Sequence, residues 1–267
     1  MKPLLHWSDP HFGTERAAVM AALRRLVAVE SPEMAVLSGD ITQRARPEQF
    51  RAARAFVDEL ALPTVAIPGN HDIPLFNLLQ RLRSPYANYC REFGRELEPE
   101  YASPQFLVIA VNTSRHWLHT DGAVSRRQIE RVAERLERAD AGQLRIVVTH
   151  QPISVIREED EGDRLRGGEA AARWWAAAGA DLVLGGHIHL PFVHSLGERF
   201  AALPRPVWGV QAGTALSTRV RHEAGNSVNL IRTASAPRRC LVERWDFDEV
   251  SREFARVASD ELLLSPD

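Results

Sequence analysis

The sequence predicts a layered α/β domain, and three observations predict it. Short apolar runs alternate with helix-period stretches in the order strand–helix–strand–helix–strand over residues 4–67. The same alternation continues as far as residue 184. After Pro206 it stops, and runs of strand character follow one another with no helix between them.

Residues 4–7 read as the first strand. Residues 15–29 follow as a helix, with Ala18, Ala21, Ala22, Leu26 and Val29 near one face. Residues 35–37 form a second buried strand that ends at Ser38-Gly39-Asp40. Residues 47–60 place Phe50, Ala53, Phe56, Val57 and Leu60 on one helical stripe, with Pro47 suited to the first position. A third strand over residues 64–67 is stopped by Pro68-Gly69. Residues 106–111 give another strand. Ser125 and Gln128 then make a capping box for a helix whose Ile129, Val132, Ala133 and Leu136 face inward. Strands at 145–148 and 181–184 flank a tryptophan-bearing helix at 170–178. Beyond Pro206, strands are expected at 207–210, 227–231, 240–247 and 252–257, as a second, largely antiparallel sheet. Residues 157–168 are charge-rich and end in glycine, which reads first as a mobile loop and second as an active-site lid.

The chain has 267 residues, 45% apolar and 25% charged, ordinary values for a globular protein able to bury a full core. Its net charge of −2 supplies no global basic field to recruit nucleic acid or a membrane surface. Cys90 and Cys240 stand alone, which argues against both a disulfide framework and a zinc ribbon. The N-terminal apolar run is too short for a secretory segment, and no later run reaches transmembrane length. A cytoplasmic location is the expectation.

Five polar segments each follow a predicted buried strand. They read Asp9-Pro10-His11, Gly39-Asp40, Gly69-Asn70-His71-Asp72, Thr149-His150 and Gly186-His187-Ile188-His189. Together they supply carboxylates, imidazoles and one amide, with no thiolate. That mixture suits first-row divalent ions such as manganese, iron or zinc better than calcium or magnesium. In open α/β sheets, ligand sites form at the carboxyl ends of the strands, so segments remote in sequence can converge on one rim.

The series Asp-x-His, Gly-Asp, Gly-Asn-His-Asp, His and Gly-His-x-His, in this order, resembles the calcineurin-like metallophosphoesterases. Ser8-Asp9-Pro10-His11-Phe12-Gly13 and Ser38-Gly39-Asp40-Ile41-Thr42 resemble the class III cyclic-nucleotide phosphodiesterase branch in particular. The resemblance implies a single domain over residues 1–267, a four-layer α-β-β-α sandwich of two mixed sheets flanked by helices. The motif-bearing part would span about 1–190 and the strand-rich completion about 200–258. It also implies two divalent or mixed-valence transition-metal ions. One would be held by Asp9, His11 and His189, the other by Asn70, His150 and His187, with Asp40 bridging them. A hydroxide generated between the ions would attack phosphorus. His71 would protonate the leaving oxygen as general acid, and Asp72 would orient the His71 ring or settle its proton. One departure is Gln151, where many relatives carry a second histidine.

Other residues read more plainly. His6 and His194 are expected to be structural. His116, Trp117 and His119 fit an ordinary loop better than a pocket wall. Arg44, Arg46 and the basic segment Ser217-Thr218-Arg219-Val220-Arg221-His222 suit either a solvated loop or a phosphate-facing surface. Leu262-Leu263-Leu264 is either a self-docking tail or a homodimer contact. The function expected is a metal-dependent phosphodiesterase acting on a small diester such as a cyclic nucleotide. A phosphomonoesterase or nucleotide pyrophosphatase with the same site is the alternative. A non-catalytic scaffold is disfavoured because every ligand position is filled. A nuclease is disfavoured because no long basic face with interleaved aromatics appears.

Overall fold

In strand β1 (Leu4–Trp7), Leu4 enters one apolar core while Leu5 and Trp7 enter another. Successive side chains of a strand point to opposite faces, so this sheet is covered on both sides. The computed structural model, which describes residues 2–221, 224–234 and 238–265, repeats the division strand after strand. Met34 and Val36 of β2 (Met34–Leu37) face the central core; Ala35 and Leu37 face helices. Phe106, Val108 and Ala110 of β5 (Phe106–Ala110) enter the same central core from a second sheet, while Leu107 and Ile109 face other helices.

The first sheet has the order β12-β11-β10-β1-β2-β3. It joins β1 and β2 to β3 (Thr64–Ala66) in parallel. On its other side it adds β10 (Ser227–Ala234), β11 (Arg239–Asp248) and β12 (Glu253–Leu263), all antiparallel. The second sheet has the order β4-β5-β6-β7-β9-β8. Its β5, β6 (Leu144–Val148), β7 (Leu182–Gly185) and β9 (Trp208–Gln211) are parallel. Its edges, β4 (Glu100–Ala102) and β8 (Phe192–Ser195), are antiparallel. Helices α1 (Ala17–Glu30) and α2 (Pro47–Leu60) cover the outer face of the first sheet. Short helices α3 (Leu78–Arg83) and α4 (Ala87–Phe93) follow, and Tyr89 and Phe93 of α4 pack into that layer. Helices α5 (Arg126–Leu136) and α6 (Gly168–Ala177) cover the second sheet, with Leu196 of α7 (Leu196–Arg199). The result is the four-layer α-β-β-α sandwich of two mixed sheets.

One expectation is corrected at the level of sheets. The strands after Pro206 do not build a sheet of their own. Three of them extend the sheet begun by β1, and β9 inserts beside β7 in the other. Alternation within a strand shows which residues are buried, and pairing partners leave no such local trace. The helix α1 also turns a different face inward. Val19, Ala22, Leu23, Leu26 and Val27 are buried, whereas Val29 is 78% exposed. Alanines spread around the helix blur the stripe, and the larger Val and Leu side chains decide it. The stripe of α2 and the Ser125-capped α5 lie as expected. Residues 157–168, expected as a mobile loop, contain a 3₁₀ turn at Glu158–Asp163. Leu262 is buried in the central core and Leu264 packs against it, which favours self-docking of that tail. No helix among the described residues is long and apolar enough to cross a membrane.

Candidate metal centre

All five polar segments leave the carboxyl ends of parallel strands, β1, β2 and β3 in one sheet and β6 and β7 in the other. Because the two sheets face each other across one core, these ends meet at a single rim. Ligand-type atoms of Asp9, His11 and His189 lie within 4.8 Å of one another; so do those of His11, Asp40 and His71, and those of Asp40, His150 and His187. Asn70 joins the last group through its Oδ1, 3.2 Å from His150 Nε2.

The loops that carry these groups are strained and cross-tied. Asp9, His11, Asp40, His187 and His189 all have positive φ, between 43° and 72°. That region is costly for residues with a Cβ, by roughly 1–2 kcal/mol each. Strain of this kind persists only where neighbours over-determine it. Here the Asp9 amide donates to the Gly39 carbonyl at 3.1 Å, and the His11 amide to the Asp40 carbonyl at 3.1 Å. The His187 amide donates to Asp9 Oδ2 at 2.9 Å. Gly39 is needed twice over: its φ is +108°, and an added Cβ would overlap the His150 ring. Gly39→Ala is therefore expected to cost roughly 1–2 kcal/mol from φ alone and to displace His150. Thermal melting of the metal-free variant beside a metal titration measures the two effects separately.

Asp40 lies between the clusters. Its Oδ1 is 3.3 Å from His150 Nε2 and its Oδ2 3.8 Å from His11 Nε2. Oδ1 also accepts the His71 amide at 2.8 Å. On the other side, Asp9 Oδ1 is 3.3 Å from His189 Nε2 and 3.7 Å from His11 Nε2. Burial would raise both carboxyls. The imidazoles around them, His150 and His71 for Asp40 and His189 for Asp9, outweigh burial and hold both well below the usual range. Burial pushes His11 down to about 3. For His150 burial is outweighed by the Asp40 charge, and its pKa rises to about 9.

Several atoms fit a cation and little else. The Nε2 atoms of His11 and His189 approach to 3.2 Å, an approach of two ring nitrogens that needs a proton or a cation between them. Asp9 Oδ1 and His187 Nδ1 are buried without a hydrogen bond among the described residues, which is costly for polar atoms left as they are. In His150, His189 and His187 the opposite ring nitrogen is held. His150 Nδ1 donates to the Ser38 carbonyl at 2.8 Å. His189 Nδ1 meets the Arg219 carbonyl and the Thr214 hydroxyl. His187 Nε2 lies 3.5 Å from Asp163 Oδ1. Hydrogen bonds of this sort fix the tautomer and aim the free lone pair.

One expectation about the third segment changes. Asp72 does not hold the His71 ring. Its carboxylate accepts the amides of Ile41 at 3.0 Å, Thr42 at 2.8 Å and Gly69 at 2.9 Å, and the Thr42 hydroxyl at 2.8 Å. Asp72 thus ties the Asp40 loop to the Asn70 turn, its two oxygens being taken up by three amide donors and one hydroxyl. Burial and the Asp40 charge push its carboxyl up to about 7 against those donors. The His71 ring is held instead by Gln43, whose carbonyl is 3.0 Å from Nδ1, and by Arg219, whose Nη1 is 3.1 Å from Nε2. A carbonyl only accepts and a guanidinium only donates, so Nδ1 carries the hydrogen and Nε2 the lone pair in this arrangement.

Gln43, Asp163, Thr214 and the Arg219 carbonyl were not singled out in these roles from sequence. Asp163 sits in a run of acids that reads as a solvated loop, and backbone carbonyls leave no trace in residue type. Arg221 bonds Asp160 at 2.8 Å and also Glu159, and so clasps the 3₁₀ turn that carries Asp163. His222 lies outside the described residues. Arg46 stands at the start of α2. His6 is buried and bonded to Ser38 at 3.0 Å, as a structural histidine should be. Gln151 is also buried and accepts from Thr113 at 2.6 Å. His119 lines a cavity beside His71, and Trp117 is 67% exposed.

Comparison with known proteins accords with this arrangement. A probable cyclic nucleotide phosphodiesterase of Synechococcus sp. is 28% identical over 190 residues, 68% of this chain and 66% of that protein. The glycerophosphodiester phosphodiesterase GpdQ of Enterobacter lignolyticus is 37% identical over 82 residues, 26% of this chain and 29% of its own length. The matches therefore span less than two-thirds of either relative. In fold, a dimetal phosphatase from Danio rerio superposes with a TM-score of 0.67 at 13% identity, covering 98% of this chain and 99% of that one. Purple acid phosphatase PPD1 of yellow lupin gives 0.70 at 12% identity, covering 97% and 53%. The family model for calcineurin-like phosphoesterases matches residues 2–191, which contain all five segments, and the chain belongs to that family.

Proposed function

We propose that the protein is a metal-dependent phosphodiesterase hydrolysing a small phosphodiester, with two first-row transition ions (manganese, iron or zinc) in its rim. Asp9, His11 and His189 hold one ion, and Asn70, His150 and His187 hold the other. Asp40 serves both. The observation that carries this reading is the placement of the two Asp40 oxygens, one toward His150 and one toward His11. A carboxylate shared between two imidazole clusters is what a pair of cations requires. Such ions supply a hydroxide at neutral pH and neutralise charge on the phosphoryl oxygens.

The chain's own residues do the rest. Arg219, with no carboxylate beside it among the described residues, faces the rim as a donor for a phosphoryl oxygen. When that oxygen draws the guanidinium off His71, Nε2 is freed to take up a proton from solvent and pass it to the leaving oxygen. The Gln43 carbonyl keeps the ring in place by holding Nδ1–H. The diester preference draws on the names of the two relatives, a cyclic nucleotide phosphodiesterase and a glycerophosphodiester phosphodiesterase.

The direct test is elemental analysis after loading with Mn²⁺, Fe²⁺ or Zn²⁺, paired with hydrolysis of bis(4-nitrophenyl) phosphate. Two ions bound per chain and activity lost on chelation are expected. Protein that binds no transition metal, or that is active without one, overturns the reading. Asp163 offers a finer probe. Asp163→Ala removes the group that orients His187, so metal affinity at that site is expected to fall roughly 10–100-fold. An isothermal titration giving the wild-type affinity would remove Asp163 from the centre.

A further inference from the structure

Beyond His71 the rim opens into a cavity of about 80 Å³, lined in part by Gln43, Arg44, Leu75, Arg81 and His119. No aspartate or glutamate is among its lining residues. Elsewhere the arginines of this chain are commonly matched with acids, as in Arg16–Glu249, Arg24–Glu59 and Arg232–Glu243. Arg44 and Arg81, which line this cavity, and Arg219 beside it are not, among the described residues. Arg44 lies over the Phe76 ring, with its Cζ 5.8 Å from the centroid. Arg81 donates only to carbonyls, Pro74 at 3.2 Å and Leu118 at 2.7 Å. Arg219 bridges Gln43 Oε1 at 3.2 Å and His71 Nε2. Two cations that line one concavity, with a third held against its lining residues Gln43 and His71, lack carboxylate partners among the described residues and focus a positive potential on it.

The side of the site on which this potential falls decides its meaning. His71 is assigned to the leaving oxygen, so groups beyond His71 meet the leaving group and not the phosphorus. A cationic leaving group such as choline would be repelled there, and a neutral alcohol would leave the arginines unused. We propose that the leaving group of the natural substrate carries a negative charge of its own, a second phosphoryl group seated between Arg44, Arg81 and His71. This rests on the phosphodiesterase reading and narrows its substrate class. In the reaction a water oxygen bonds to phosphorus and the bond from phosphorus to the leaving oxygen breaks with its electron pair. The water's proton passes to the medium, His71 protonated at Nε2 from solvent supplies the proton that the leaving oxygen takes up, and a phosphorylated alcohol departs.

The test uses the metal-loaded full chain and three esters of adenosine 5′-monophosphate that differ only in the leaving alcohol: ethanol, 2-phosphoethanol and choline. Release of adenosine monophosphate is measured for each. The expected order in kcat/KM is phosphoethyl, ethyl, choline, with about tenfold or more between the first two from electrostatic focusing. Arg44 is exposed, so Arg44→Glu is expected to fold and to bring that ratio to about one or below. A ratio within about twofold for the wild type, or one that Arg44→Glu leaves unchanged, overturns the proposal. So does failure to release adenosine monophosphate from any ester while bis(4-nitrophenyl) phosphate is cleaved, and in that case the phosphodiesterase reading survives. If the metal-loaded protein cleaves none of the four, that reading falls and this one with it.

Discussion

Asp40→Ala is expected to abolish turnover of every phosphoester substrate and to leave fewer than two metal ions bound. Asp40 sets its Oδ1 against His150 and its Oδ2 against His11, so one substitution empties the space both clusters share. Removing a single electrostatic donor from an active site commonly costs ~10²–10³-fold in kcat. Loss of a shared carboxylate removes more than one such contribution, and a fall of at least about 10³-fold on alkyl and nitrophenyl leaving groups alike follows. Asp40 also accepts the His71 amide at 2.8 Å, so a fall in activity alone is ambiguous between lost metal and a displaced loop. Three measurements separate these: metal content by elemental analysis, melting temperature in the presence of chelator, and kcat. Retention of two ions with near-normal kcat would show that Asp40 does not serve both clusters. Melting far below that of the chelated wild type would assign the loss to folding.

Much of the site is legible in the sequence because its chemistry is written in residue type and order. Asp9, His11, Asp40, Asn70, His150, His187 and His189 are each announced by a polar residue at the end of an apolar run, often beside glycine. The structure brings all seven to one rim. What holds them is less legible. Ser38, Gln43 and Arg219 act through backbone carbonyls, and a carbonyl is common to every residue. Asp163 acts through its side chain, yet stands among Glu158, Glu159, Asp160 and Glu161, where nothing separates it from solvated acids. The fold divides in the same way. Helix α2 could be read to its ends because Phe50, Ala53, Phe56, Val57 and Leu60 recur on one helical stripe. In contrast, β10 pairs with β1 through Leu230 opposite Leu5. Registry between strands from opposite ends of the chain is set by packing in three dimensions and not by local pattern.

The contact between Arg219 and His71 turns the role of His71 into a measurable question. Proton donation matters most when the leaving oxygen is a poor alkoxide and least when it is an activated nitrophenolate. His71→Ala is therefore expected to slow a nucleotide or glycerol diester by ~10²–10⁴-fold and bis(4-nitrophenyl) phosphate by less than about tenfold. The geometry also supplies a competing role, since His71 anchors Arg219 at 3.1 Å. Were His71 chiefly a prop for that guanidinium, its loss would weaken phosphoryl binding regardless of leaving group, and both substrates would suffer alike. Arg219→Ala separates the two roles further. As a phosphoryl donor Arg219 should matter to both substrates, with a loss of ~10²–10³-fold in kcat. A leaving-group dependence in His71→Ala that is missing from Arg219→Ala assigns the proton to His71 and the phosphoryl oxygen to Arg219. Equal losses in His71→Ala for the two leaving groups remove the general acid from His71, while leaving the metal centre built on Asp40 untouched.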